Sequence, residues 1–352
     1  MNAILKNDMT ELLSLPLPIE KINNKTILVT GATGLIARYF CFYLLELVIE
    51  KGMNIKVVAL VRNKSKAERI FSEYLEIPNL EFIFQDVCDP IIYEEKVDYI
   101  FHAAGGASPH FIKNDPTGVI KANTVGVMQV LEFAKEKEVT KVLFPSTREI
   151  YGKIENVAWV QEDIMGTIDP LDSRSCYPES KRMAETIFEA YHNQYGIPYN
   201  VIRIAHTYGP GMEIDNDGRV MSDFIYYAVN GKDITLNSDG SAKRSFCYIT
   251  DLIYGIVLIL LEGENKGAYN LSNEKEPYPI RETAQMLIDL FPEKNMKLSY
   301  IEATEEIKKG YTNYKLTQMD NSKVERLGWS PKICLKEGMK RTVDYFEIEQ
   351  SK

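Results

Sequence analysis

The chain has 352 residues, with 41 Lys and Arg against 50 Asp and Glu, a net charge of −9, 45% hydrophobic residues and 26% charged ones. That length supports one large globular unit or two unequal ones, and the composition argues against disorder. The acidic balance argues against a nucleic-acid backbone as ligand, although a local pocket of Arg and Lys can still take an anionic small molecule.

Residues 1–24 read as an N-terminal extension. Acids come early and no apolar core follows a basic start, so a signal peptide is not predicted. A short helix around Met9 to Leu15 stops at Pro16 and Pro18. From Lys25 the pattern becomes strands alternating with amphipathic helices. Strands are predicted at 25–30, 56–61, 80–84, 97–102 and 141–145, with helices at 34–51 and 123–137 among those between them. A helix over 177–195, closed by Gly196 and Pro198, leads to a sixth strand at 199–204. This alternation predicts an α/β protein with a Rossmann-type doubly wound parallel sheet over 25–205. After Gly209-Pro210 the regularity breaks. Helical patterns at 222–230, 250–262, 280–290, 322–327 and 335–346 predict a smaller, mainly substrate-binding lobe over 206–352, with some exchange of chain between the two. The longest apolar run, Leu252 to Leu261, is about half the length that spans a bilayer and reads as a buried helix. The five cysteines, Cys41, Cys88, Cys176, Cys247 and Cys334, are odd in number and include no CxxC pair. Neither a disulfide framework nor a metal site is indicated, and a soluble cytoplasmic protein with reduced thiols is expected.

The first strand runs into Thr30-Gly31-Ala32-Thr33-Gly34-Leu35-Ile36-Ala37. Gly31 and Gly34 permit a tight turn and let a pyrophosphate approach the backbone around Thr33. The amides of Leu35 and Ile36 open the following helix, whose N-terminus favours an anion. Placed between a strong strand and a strong helix, this turn predicts a dinucleotide site. Arg62 ends the second strand, where NAD-specific proteins usually carry an acid. It either accepts a 2′-phosphate, which makes NADP an alternative to NAD, or belongs to a basic surface turn. Asp86 and Val87, after the third strand, are placed to meet the adenine. Ala103 and Ala104 after the fourth are small where a cofactor lies close.

Tyr177 and Lys181 stand four apart on one helical face. A phenol ionises near pH ~10, and a neighbouring ammonium lowers that value, so the pair can take the proton of a sugar hydroxyl as hydride leaves its carbon. Such a pair is also common by chance. Here Ser146-Thr147-Arg148-Glu149 follows the fifth strand directly, at the carboxyl edge where such sheets hold ligands. Thr147 can share the substrate hydrogen bond with Tyr177, and Glu149 offers a carboxylate beside the carbon next to the new ketone.

The glycine turn, HAAGGASP at 102–109, NTVG at 123–126, STREIYG, RSCYPESKR and HTYGP together resemble the extended short-chain dehydrogenase/reductases, and within them the NAD-dependent epimerase/dehydratase branch acting on nucleotide sugars. The likeness runs from about Lys25 to about Phe346. GGASP, GRVMSDF at 218–224 and KRSFCYITD at 243–251 look most like UDP-glucuronate decarboxylases. The resemblance implies NAD held also by Asn123, a nucleotide-sugar substrate held by Ser108, Arg148, His206, Arg219 and Arg244, no metal, and a homodimer built from the helices at 123–137 and 177–195. Arg219 and Arg244 match arginines that hold a nucleotide diphosphate, or else are surface ion-pair residues. The stretch LGWSP at 327–331 is assigned to packing.

Four positions depart from that pattern. The tyrosine that the decarboxylases place shortly after their SP motif is absent, the chain reading Ser108-Pro109-His110-Phe111-Ile112. Arg148 replaces the Asp that 4,6-dehydratases use as an acid, and either pairs with a substrate carboxylate or points away. His206 replaces an Asn near the diphosphate, and either adds a pH-dependent donor there or is a packed or solvated residue. The late arginine of the decarboxylases is absent around 315–319, with Lys315 the nearest base. The expected chemistry is oxidation at C4 of the hexose followed by decarboxylation. C4 epimerisation and 4,6-dehydration are the rivals, and a non-catalytic dinucleotide sensor is the reading from another class.

Overall fold

The computed structural model describes residues 1–215, 217–301 and 318–351. Seven strands make one sheet: β1 (Lys25–Thr30), β2 (Ile55–Val61), β3 (Leu80–Phe84), β4 (Tyr99–His102), β5 (Lys141–Thr147), β6 (Tyr199–Ile204) and β7 (Ala268–Leu271). Their order in space is β7-β6-β5-β4-β1-β2-β3, and every neighbouring pair is parallel. The chain thus winds from β1 to one edge, then restarts at β4 toward the other. Its switch point falls between β1 and β4, where open α/β sheets bind ligands outside their carboxyl ends. The central strands are continuous apolar runs because both faces are covered.

Among the described residues the helices of six residues or more are, in chain order, α1 (Ala3–Ser14), α2 (Leu35–Lys51), α3 (Lys64–Ile70), α4 (Pro109–Asn114), α5 (Pro116–Glu136), α6 (Cys176–Tyr195), α7 (Val220–Val229), α8 (Ile249–Glu262), α9 (Ile280–Leu290) and α10 (Leu335–Gln350). One face of the sheet carries α5 and α6, packed on each other, and the other carries α2 and α8. Residues Ile249 to Leu261 of α8 are buried throughout, and Trp329 closes over that helix by donating from its indole nitrogen to the Asp251 carbonyl at 2.8 Å. No described helix is long and apolar enough to cross a membrane.

Several boundaries differ from the sequence reading, each for a local reason. Helix α1 begins at Ala3 rather than near Met9, because the Asn2 side chain accepts from the Ile4 amide and caps it. Helix α5 begins at Pro116, seven residues before 123, with Asp115 as its cap and proline in its first turn. Strand β5 runs on to Thr147. Strand β7 was not anticipated. It returns the chain from the C-terminal part to the sheet edge beside β6, so the segment between them is an excursion rather than a detached domain.

Helix α1 is sealed onto the body by a buried carboxylate. Asp8 accepts hydrogen bonds from Tyr39 of α2 at 3.0 Å, from Tyr248 at 2.9 Å and from Arg341 of α10 at 3.0 Å. Burial pushes its carboxyl up to about 6 despite those donors. Arg341 also pairs with Glu11 and Glu337.

Candidate active site

The turn after β1 is built around a close approach. Gly31 stands at φ +65°, and a Cβ there would lie 2.7 Å from Ala104 Cα and 2.9 Å from the Ala103 carbonyl oxygen. Thr30 Oγ1 accepts from the Ala104 amide at 3.2 Å and meets His102 Nδ1 at 2.8 Å, which locks the ends of β1 and β4 together. Gly34 caps α2 without a side chain, so the amides of its first turn, including Leu35 and Ile36 beyond Thr33, are not engaged by a capping side chain. That cradle fits a pyrophosphate. At the next strand end, Asp86 accepts from the Cys88 amide at 2.9 Å, which holds its carboxyl below the usual range. Arg62, 75% exposed, lies 3.4 Å from that carboxylate. Val87 packs against Gly126, where a Cβ would be 2.9 Å away, and this lets α5 close on the loop. Asn123 is fully buried. Its amide donates to Ser180 Oγ at 3.0 Å, and its carbonyl oxygen, beside Gly105, has no partner among the described residues. An unsatisfied buried acceptor at this place is a second point of fit for a bound dinucleotide.

The catalytic set converges on the carboxyl end of β5. Thr147 closes the strand, accepts from the Glu149 amide at 3.2 Å, and hydrogen-bonds the Tyr177 phenol. Tyr177 and Lys181 are both buried on α6. Lys181 Nζ donates to the Pro145 carbonyl at 2.8 Å and lies 4.2 Å from the centre of the Phe144 ring. Sequence reasoning expects an ammonium that lowers the phenol. The structure gives the opposite balance: burial pushes Tyr177 up to about 12, helped by the Glu149 charge, while Thr147, Arg219 and Arg174 oppose it. Burial also pulls Lys181 down to about 7, with Glu185 acting against that. For both groups desolvation outweighs the charges and hydrogen bonds that oppose it.

Three residues here were not found from sequence. Ser180 donates to the Tyr177 carbonyl at 3.0 Å and accepts from Asn123. Glu185, one turn past Lys181, accepts from Ser146 at 2.6 Å and pairs with Arg203 at 2.7 Å. Arg174 grips Glu149 with two parallel bonds of 2.6 and 3.0 Å. The i, i+4 spacing of Lys181 and Glu185 was a legible signal; the Arg174–Glu149 pair spans 25 residues of irregular chain and was not.

A cationic cluster borders this set. Arg148 is buried rather than turned to solvent. Together with Arg244 and Arg219 it opposes protonation of His206, whose ring burial already holds well below its usual value. His206 is therefore a neutral imidazole and not the pH-dependent donor that the sequence suggested. Its Nε2 has no partner among the described residues, and its backbone stands at φ +34°, a conformation that suits Asn better. Arg219 pairs with buried Asp217, and Arg244 donates to the Lys243 carbonyl at 2.9 Å. Ser108 is nearly buried and caps α4. Lys315 lies outside the described residues. Among the described residues no group of three or more His, Cys, Asp or Glu is arranged to hold a metal.

The model of the NAD-dependent epimerase/dehydratase family matches residues 27–272. Over 326 residues the chain is 35% identical to UDP-glucuronic acid decarboxylase 3 of Arabidopsis thaliana, covering 92% of this chain and 90% of the relative. It is 33% identical to UDP-glucuronic acid decarboxylase 1 of Danio rerio, covering 93% and 74%. Among solved structures, UDP-glucose 4-epimerase of Thermotoga maritima with UDP-glucose aligns with a TM-score of 0.78 at 25% identity, over 92% of this chain and 99% of that one. UDP-glucuronic acid 4-epimerase of Bacillus cereus, in complex with UDP-glucuronic acid and NAD, shares the fold with a TM-score of 0.76 at 24% identity, over 93% and 100%.

Two histidines, His102 fully buried and His206 with its Nε2 shielded from solvent, carry a pH signature. His102 is held down to about 3 by burial and then by Lys181, and His206 is also lowered, so below about pH 6.5 the unfolded chain binds protons that the native chain refuses. Their contribution is whole above pH ~6.5 and is lost as pH falls toward the folded values. Asp8, Asp223 and Asp251, each raised to about 6, act in the other sense. The urea midpoint of a His102→Gln/His206→Asn variant should therefore fall less between pH 7 and 5 than that of the parent chain. Parallel curves would show that the two imidazoles do not titrate on unfolding.

Proposed function

The chain belongs to the NAD-dependent epimerase/dehydratase family, and we propose that it oxidises C4 of a nucleotide-linked uronic acid and then decarboxylates the ketone, as UDP-glucuronate decarboxylases do. The observation that carries this reading is a Thr147–Tyr177–Lys181 set at the sheet's carboxyl edge, bordered by Arg148, Arg219 and Arg244. Such a border suits a substrate with negative charge at both ends, a diphosphate and a sugar carboxylate. Arg219 and Arg244 would take the diphosphate and Arg148 the carboxylate, with Ser108 and neutral His206 completing the substrate contacts.

NAD would lie on Gly31, Gly34, Ala104 and Asn123, and when bound it supplies a hydride acceptor that can return what it took. Tyr177 accepts the C4 hydroxyl proton while Thr147 holds the same oxygen. The pair has a way to ready itself. A neutral phenol with a neutral amine and a phenolate with an ammonium hold the same number of protons and the same net charge, so the first can become the second without a counter-ion from solvent. The C4 ketone then makes the C5–C6 bond labile: carbon dioxide leaves, and the bonding electrons pass through C5 to the C4 oxygen. Protonation at C5 and return of hydride to C4 complete a cycle without net oxidation. Dehydration lacks its usual acid, since residue 148 is an arginine.

Incubation with UDP-glucuronate, followed by mass spectrometry, should show loss of carbon dioxide. Loss of water, or an isomer of unchanged mass, would overturn the decarboxylase reading. Tyr177→Phe should lower kcat by at least about a thousandfold, and retained turnover would remove Tyr177 as the base. For the cofactor we read NAD, because Asp86 beside Arg62 opposes a 2′-phosphate. Titration should find NAD bound at least about tenfold more tightly than NADP, and the reverse order would overturn this. A homodimer would bury the exposed Ile120, Val125 and Met128 of α5 with Met183 of α6. Light scattering should give twice the chain mass, and a monomer at micromolar concentration would refute the dimer.

A further inference from the structure

On the proposed reading Glu149 is the carboxylate that would serve as base for the C5 proton, yet it is already engaged. Arg174 Nη1 donates to one oxygen at 2.6 Å and Nη2 to the other at 3.0 Å, and both side chains are mostly buried. Two parallel bonds from a planar guanidinium fix the plane of the carboxylate as well as its position. The arginine is itself held in place. It sits in the turn Ser173–Ser175, where Asp172 accepts from its backbone amide at 2.9 Å, immediately before α6 and Tyr177. At its other end Glu149 is fixed by the bond between its amide and Thr147. The fork occupies one lone pair on each oxygen and favours the charged carboxylate, so a proton taken there would weaken the pairing with Arg174. The same pair acts on the phenol in opposite senses, Glu149 raising it and Arg174 lowering it, so Arg174 also screens Tyr177 from the carboxylate.

We propose that Arg174 is a positioning residue that selects the reaction's second step, by clamping Glu149 so that the 4-keto sugar is not deprotonated at C5. This rests on the C4 oxidation proposed above. A ketone at C4 loosens two bonds at C5 of a uronic acid, the C5–H bond and the C5–C6 bond. Breaking C5–H requires a base that takes the proton, leaving the electron pair on the C4 oxygen as an enolate. Breaking C5–C6 releases carbon dioxide, leaves the same enolate, and needs no base. Holding Glu149 in the fork suppresses the first route and leaves the second. Arg174 therefore decides between two fates of one intermediate rather than how fast that intermediate forms.

The test is deuterium exchange at C5 in recovered substrate. UDP-glucuronate is incubated with the NAD-loaded enzyme in heavy water and stopped before completion, and the remaining UDP-glucuronate is read by mass spectrometry and proton NMR. The parent enzyme should return it unlabelled at C5. Arg174→Gln should raise C5 labelling, relative to carbon dioxide released, by at least about tenfold. Arg174→Lys, which keeps the charge but loses the fork, should fall between them. Adding Glu149→Gln to Arg174→Gln should abolish the gain, which a general loosening of the site would not do. Unchanged labelling in Arg174→Gln, or C5 exchange already present in the parent, would overturn the proposal. Failure of the C4 oxidation itself reads differently: no absorbance at 340 nm and no product from any variant would reject the function proposed above.

Discussion

Lys181 brings an amine into the carboxyl end of β5, where burial opposes its charge, and much of the surrounding architecture answers that problem. The Pro145 carbonyl and the face of Phe144 receive its Nζ directly. Glu185, one turn further along α6, acts through space, and Arg203 and Ser146 keep that carboxylate in place. His102 beneath stays neutral partly because Lys181 is near. With so little solvent, a small change in charge nearby has a large effect on which of Tyr177 and Lys181 holds the proton. That sensitivity suits a residue pair that must give and take one proton in each cycle.

The anionic side of the chemistry is handled by crowding cations. Arg148, Arg219 and Arg244 all bear on one imidazole, an arrangement that is costly without an anion among them. Two acidic groups temper it from within, Asp217 on Arg219 and Glu149 on Arg174. The overall charge of the chain is strongly negative, so the attraction is confined to this edge, and diffusing polyanions meet a repulsive surface elsewhere.

The sheet was legible because six of its strands are apolar runs bounded by turns, and the glycine turn because a Cβ at Gly31 would lie 2.7 Å from Ala104 Cα, so that only glycine fits. Strand β7 was not, since four residues without alternation carry no period of their own and join the edge only because β6 is there to pair with. Tyr177, Lys181 and Thr147 were readable from spacing and from their place after β5. Their proton balance was not, because spacing reports proximity while the balance is set by desolvation, a property of everything packed around them. Likewise Arg148 was visible as an odd residue in a motif, whereas the clamp of Arg174 on Glu149 exists only once residues 150–173 have folded back.

Asp8 and Arg341 are 333 residues apart along the chain, yet they share one buried contact that also fastens Tyr39 and Tyr248. The last helix made is therefore required to finish the environment of the first. Until α10 arrives, α1 carries a carboxylate that has lost its arginine and cannot be comfortably enclosed. Closure of so long a loop comes late and is entropically expensive. Helices α1 and α10 thus act together as a fastening applied after the sheet is assembled, and a nascent chain that has not yet reached α10 would leave the tyrosine anchors on α2 and at 248 short of one partner.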